Sequence, residues 1–133
     1  MSDKKKRLSK VRKNRSPKAI LFKKVWTKCA KFVVLRDGGI CFTCGEPGNQ
    51  AGHFRHGKTK LTYFNEKQIR CQCVKCNFFL SGNLGIYGFK LTKLLGAKEV
   101  EQIINDSYKQ KDWKMAELQK LEEYFTNKLK ELE

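Results

Sequence analysis

Two pairs of cysteines, Cys41-Phe42-Thr43-Cys44 and Cys73-Val74-Lys75-Cys76, constrain this chain more than any other feature. Each pair is a C-x2-C knuckle, a spacing that lets two thiolates close on one tetrahedral ion at about 2.3 Å. In a reducing compartment, paired knuckles point to zinc rather than to disulfides. The 28 residues between the pairs exceed what a simple zinc ribbon needs. They leave room for a β-hairpin, as in a treble clef. A chain of 133 residues with a modest core also gains from a metal staple. Two cysteines remain. Cys29 falls on the apolar face of a helix and reads as a packed thiol. Cys71 could compete for the metal, but only Cys73 completes a C-x2-C pair with Cys76.

The flanking segments read as helices. Ser16-Pro17 looks like an N-cap followed by proline in the first turn, and a helix is expected from there to about Arg36. Leu21, Val25, Trp26, Cys29, Phe32 and Val33 recur on it at helical spacing, and Asp37-Gly38-Gly39 ends it. Residues 40–70 are short pieces rich in turn formers, with the hairpin's second strand expected over Ile69–Gln72. A helical stretch after Cys76 breaks at Ser81-Gly82, resumes from about Asn83 to Leu95 and stops at Gly96. Further helices are expected over Ala97–Lys109, and from an Asp112 cap through Leu132. The last carries a stripe of Leu118, Leu121, Phe125, Leu129 and Leu132 that packs on the domain or forms a dimer seam. The expected class is α+β, a zinc-bound treble clef with a ββα-metal (HNH-like) core. The organisation is a basic arm over residues 1–18 and one domain over 19–133, with its core at 37–96.

Charge suggests the partner. The formal net charge is +16, and fourteen Lys or Arg but one acid lie between Met1 and Arg36. So steep a bias suits a polyanion, bound with strong salt dependence. Lys4, Lys5, Lys6, Arg7, Arg12, Lys13 and Arg15 of the arm are candidate phosphate contacts. Arg55, Lys58 and Lys60, between the knuckles, are others. No apolar run is long enough to cross a membrane, and the first one stops at Lys23-Lys24, so neither a span nor a secretory leader is expected. The expectation is a cytoplasmic protein.

Between the knuckles stands Ala51-Gly52-His53-Phe54, and directly after the second stands Asn77. HNH-type nucleases need a neutral imidazole on the hairpin to take a proton from water. They also need an oxygen ligand at the start of the next helix, holding a divalent ion against the scissile phosphate. His53 and Asn77 occupy those two places, inside a frame that zinc would make rigid. His56 is a tentative further ligand or phosphate contact. Asn83 either approaches the metal or caps the next helix.

Several runs here resemble the phage lambda NinG (Rap) recombination family. They are Gln50-Ala51-Gly52-His53-Phe54, Phe64-Asn65-Glu66, Gln72-Cys73-Val74-Lys75-Cys76-Asn77 and Leu80-Ser81-Gly82-Asn83. The likeness covers about Cys41 to Ile104. The Cys-x-x-Cys-Asn arrangement is also similar to that of endonuclease VII-type junction resolvases. The resemblance implies a structure-selective DNA endonuclease acting on branched recombination intermediates such as Holliday junctions and D-loops, in a bacterial host cell. It implies structural zinc on Cys41, Cys44, Cys73 and Cys76, a catalytic Mg²⁺ or Mn²⁺ near Asn77, and His53 as general base. Gly52 stands where many HNH nucleases carry Asp. That substitution leaves open an alternative, a non-catalytic zinc-stabilised DNA-binding or recombination accessory protein. Cutting both arms of a junction would suit a homodimer.

Overall fold

In the computed structural model, which describes residues 15–133, the chain runs through four α-helices and a two-stranded sheet. These are α1 (Pro17–Arg36), β1 (Gln50–His53), a 3-10 turn (Glu66–Gln68), β2 (Ile69–Gln72), a π-helical turn (Lys75–Phe79), α2 (Leu84–Leu95), α3 (Ala97–Asp106) and α4 (Met115–Glu131). The class is mixed α and β. The strands are antiparallel, with Gln50 opposite Gln72 and His53 opposite Ile69. Alternation therefore puts Ala51, His53, Ile69 and Cys71 on one face, and Gln50, Gly52, Arg70 and Gln72 on the other.

Helix α1 starts as its sequence dictates: the Ser16 hydroxyl accepts from the Ala19 amide at 3.1 Å and Pro17 opens the first turn. It ends because Gly38 and Gly39 take the left-handed backbone, at φ 67° and 70°. Its end is fastened to the hairpin. Arg36 donates to the carbonyls of Glu66 at 2.9 Å and Ile69 at 2.6 Å, and Asp37 accepts from the Cys71 amide at 2.8 Å. The main core lies between α1, α4 and the hairpin, where Val25, Cys29, Phe32, Val33, Ile69, Leu118 and Phe125 are buried. Cys29 is thus the packed thiol its helical position suggests. A second cluster of Phe54, Tyr87, Leu91, Val100 and Ile103 joins α2 and α3 to the end of β1.

Two expectations change, and the stripe of α4 takes the first of its two readings. Helix α3 stops at Asp106, short of Lys109, and the Ser107 hydroxyl turns back onto the Ile104 carbonyl at 2.6 Å. Asp112 does not cap α4. It is drawn into ion pairs with Lys18 at 2.6 Å and Lys114 at 2.7 Å, and the helix begins three residues later, with Glu117 accepting from the Lys114 amide at 3.2 Å. The stripe of α4 is occupied within the chain. Leu118 and Phe125 are buried against α1, Leu121 and Leu129 pack beside them, and Leu132 lies outside at 46 % exposure. A homodimer would therefore need another surface. Among the described residues no helix is long and apolar enough to cross a membrane.

Candidate active site and metal centre

The metal centre is built by two loops on either side of the hairpin. In the first, the Cys41 amide donates to the Glu46 carbonyl at 2.7 Å and the Gly45 amide to the Cys41 carbonyl at 2.9 Å, with Gly45 at φ 82° closing the knuckle. The second knuckle runs from the end of β2 into the π-helical turn. The sulfurs of Cys41, Cys44, Cys73 and Cys76 all lie within 4.8 Å of one another, and those of Cys44 and Cys73 are 3.6 Å apart. Tetrahedral zinc–thiolate bonds of about 2.3 Å place sulfurs about 3.8 Å apart, so this quartet can hold a zinc ion. Burial opposes the Cys41 thiolate, but the Thr43 hydroxyl and backbone hydrogen bonds from Cys73, Cys44 and Thr43 outweigh it and bring the thiol down to about 6. A backbone hydrogen bond at Glu46 favours the Cys44 thiolate, yet desolvation and the three other sulfurs push it up to about 12. A divalent cation relieves that conflict by holding all four as thiolates. Cys71 stays out of the quartet. It is buried within β2, where burial and the nearby Asp37 carboxylate push it up to about 11. Asn83 neither caps α2 with its side chain nor enters the His53 cavity. Its amide reaches the Cys76 sulfur at 3.7 Å.

His53 closes β1 on the face turned to α1. Its Nε2 lies 2.8 Å from the Tyr63 carbonyl, an acceptor only, so Nε2 carries the proton and Nδ1 keeps the free lone pair. The imidazole, Trp26 and Tyr63 form a triangle of rings, with His53 4.7 Å from each and Trp26 5.3 Å from Tyr63. Burial among them pushes the imidazole down to about 4, against the opposing pull of the Tyr63 carbonyl and with a smaller push from His56. His53 is therefore neutral at pH 7.

Asn77 sits in the π-helical turn between Cys76 of the quartet and two phenylalanines. Its Nδ2 donates to the Gln50 Oε1 at 2.9 Å, which fixes the amide and assigns Oδ1 to its other side. That oxygen is 2.9 Å from where a Cβ on Gly52 would be. A nearer neighbour is Gln72, fully buried, whose Oε1 is 1.8 Å from the same point. Gln72 Nε2 donates to the Thr43 hydroxyl at 3.1 Å and the Gly82 carbonyl at 2.9 Å, while its Oε1 has no hydrogen-bond partner among the described residues. Position 52 is glycine because a glutamine from the neighbouring strand fills the space a side chain would need.

His53, Asn77 and His56 line one cavity of about 270 Å³, together with Ala51, Ser81 and Gly82. The structure thus brings the three candidates together. His56 belongs because strand β1 ends at His53 and Gly57, at φ 136°, turns the chain, so strict alternation does not reach it. Among the described residues no carboxylate lines this cavity. A larger groove of about 740 Å³ borders the Trp26 and Tyr63 rings. Among the described residues, Arg15, Lys18, Lys23, Lys58 and Lys111 line it with a single acid, Asp112, itself paired to Lys18. Lys58 and Arg15 therefore stand where charge is concentrated. Arg55 and Lys60 are engaged elsewhere. Arg55 donates to the Ser107 hydroxyl at 2.9 Å and covers the Tyr108 ring, and Lys60 folds over Gly57 and bridges to Gln110. Lys4, Lys5, Lys6, Arg7, Arg12 and Lys13 lie outside the described residues.

Sequence reading missed Gln72, Gln50, Trp26 and Tyr63 as parts of this site. The two glutamines gave one usable signal, their place on the same hairpin face as Gly52. Trp26 read only as one of the apolar residues at helical spacing, and Tyr63 gave no signal.

The family model for the bacteriophage lambda NinG protein matches residues 1–133, the whole chain. This chain belongs to the NinG family. The NinG protein of Escherichia phage lambda is 30 % identical over 121 residues, covering 87 % of this chain and 59 % of its own length. The NinG protein of Salmonella phage P22 is 31 % identical over 121 residues with the same coverage, and that of Escherichia phage 933W is 30 % identical. This NinG chain thus spans about three fifths of the length of the curated relatives it matches. No solved structure matches it.

Proposed function

We propose that this NinG chain is a metal-dependent, structure-selective DNA endonuclease of the HNH type, with the zinc quartet and hairpin forming a treble clef. One observation carries the reading. A neutral imidazole, its tautomer set by the Tyr63 carbonyl, shares a cavity with an amide oxygen set by Gln50. His53 Nδ1 accepts the proton of a water as that water attacks phosphorus. The groove lysines bind neighbouring phosphates, and little sequence preference follows, because such contacts read backbone rather than bases. A divalent ion would supply charge neutralisation at the phosphate and its leaving oxygen. The donors fit such an ion in part: Asn77 Oδ1 and His56 can hold it, with the remaining positions left to water and the substrate's own phosphate oxygens. With no carboxylate present, Mg²⁺ or Mn²⁺ binding then depends on DNA. Branched intermediates of phage recombination in the host cell are the expected substrates.

The test is cleavage of a labelled four-way junction, a D-loop and a matched duplex. Mg²⁺ is added or omitted, rather than chelated, so that zinc stays in place. Cutting of branched DNA that requires Mg²⁺ and is lost in His53→Ala, with binding retained, supports the reading. Wild-type rates in His53→Ala refute it. The missing carboxylate favours one other reading, a zinc-stabilised DNA-binding accessory protein, and salt-sensitive binding without cutting would select it.

A further inference from the structure

Phe78 and Phe79 are each 71 % exposed, although they sit in the middle of an ordered turn. Their rings meet edge to face, 5.2 Å apart at 89°. Burial of such rings is the normal outcome of folding, and a pair left in solvent marks a contact surface. The pair follows Asn77 directly, so it stands beside the cavity that holds His53. The turn carrying it is pinned at both ends. The Leu80 amide donates to the Lys75 carbonyl at 2.8 Å and the Gly82 amide to the Cys76 carbonyl at 2.9 Å, while Cys76 itself belongs to the zinc quartet. Ser81 at φ 49° and Asn83 at φ 50° hold the exit of the turn in the left-handed region. The two rings are therefore presented on a rigid support, with little ordering entropy left to lose on contact.

Charge indicates what they contact. From Lys67 to Lys98 the chain has six basic residues and no acidic one. Lys75 lies in the turn itself, and Lys93 covers the exposed Phe89 ring at 4.6 Å. Exposed aromatic rings set among cations match a nucleic acid strand, whose bases stack on the rings while its phosphates meet the lysines.

We propose that Phe78 and Phe79 form a wedge that stacks on unpaired bases at a DNA branch point, next to the site of cleavage. The wedge rests on the nuclease reading above and supplies what that reading lacks, a reason for branched DNA to be chosen over duplex. Continuous duplex hides the faces of its bases and offers the rings nothing, whereas a branch point exposes them.

The test uses the full chain, zinc-loaded and without Mg²⁺. The DNAs are a duplex and a single-strand flap carrying 2-aminopurine at the branch. Wild-type protein should change the 2-aminopurine fluorescence and bind the flap more tightly than the duplex. Phe78→Ala/Phe79→Ala should lose the fluorescence change and bind the flap roughly five- to hundredfold more weakly, with duplex affinity unchanged. Phe78→Trp should keep both properties. Zinc content and circular dichroism check folding, which exposed side chains do not support. Equal weakening on both DNAs, or an unchanged fluorescence response in the double variant, overturns the wedge. So does a wild-type dimer that becomes monomeric in the double variant, since the rings would then be a self-interface. If the wedge alone is wrong, cleavage of branched DNA still depends on His53. If wild-type protein binds neither DNA at physiological salt, the nuclease reading fails with it.

Discussion

Substituting Gly52 by Ala adds one methyl group at the most crowded point of the hairpin. The methyl would lie 1.8 Å from Gln72 Oε1 and 2.8 Å from its Cδ, so the glutamine must leave its place. Gly52 is not among the residues with positive φ, so backbone strain adds nothing and the cost is steric. Moving Gln72 breaks its hydrogen bonds to Thr43 and to Gly82, at 3.1 and 2.9 Å. Each is worth about 1 kcal/mol, and stranding buried partners adds about 1–2 kcal/mol more. Replacing glycine in a compatible strand returns about 0.5 kcal/mol through the unfolded chain. The net expectation for Gly52→Ala is a loss of about 2–4 kcal/mol. The assay is urea unfolding in excess zinc, repeated in a Gln72→Ala background. There the methyl meets only Asn77 Oδ1, at 2.9 Å, so most of its cost should disappear and a small remainder should stay. The coupling between the two sites should therefore account for most of the effect of the single substitution. An equal cost in both backgrounds would refute the reasoning, and so would a neutral Gly52→Ala.

Other outcomes follow from the same geometry. His53 is held near 4 when folded against about 6.5 when unfolded, so the unfolded chain binds the extra proton; stability is complete above pH 6.5, falls by roughly 3 kcal/mol in total as pH drops toward 4, and loses this slope in His53→Ala, as pH-dependent denaturation would show. Trp26→Ala should open the ring triangle to water and raise the His53 pKa toward its ordinary value, which an NMR titration reads directly. Replacing Lys23 and Lys58 by Ala should reduce the slope of log K against log salt by about 2 if each contacts one phosphate of duplex DNA. Removing zinc, or Cys76→Ser, should cost several kcal/mol and release the turn that carries Asn77, seen as lost helical dichroism and lost DNA cleavage.

The frame of the molecule was legible because local chemistry dictates it. Ser16-Pro17 can hardly do anything but start a helix, Gly38-Gly39 can accept the left-handed turns that end it, and C-x2-C knuckles close on a common centre whatever lies between them. Strand β2 was visible at Ile69–Gln72 for the same reason. The interior of the site was not, because it depends on contacts across the chain. Asp112 looked like a cap until Lys18, 94 residues away, took its carboxylate. Gly52 looked like a missing acid, and only the register of β1 on β2 shows that Gln72 occupies the room an acid would need. Trp26 looked like core spacing on a helix, yet its ring stacks on the His53 imidazole, 4.7 Å away.

The position of Trp26 bears on how such a protein is made. Its helix is held by Leu118 and Phe125 of α4, so the wall around His53 is assembled from segments about a hundred residues apart in order of synthesis. A ribosome that has released the hairpin and both knuckles has still not released the helix that clamps α1. The imidazole's final environment must wait for that last segment. A nascent chain would bring its four clustered cysteines together before it encloses His53.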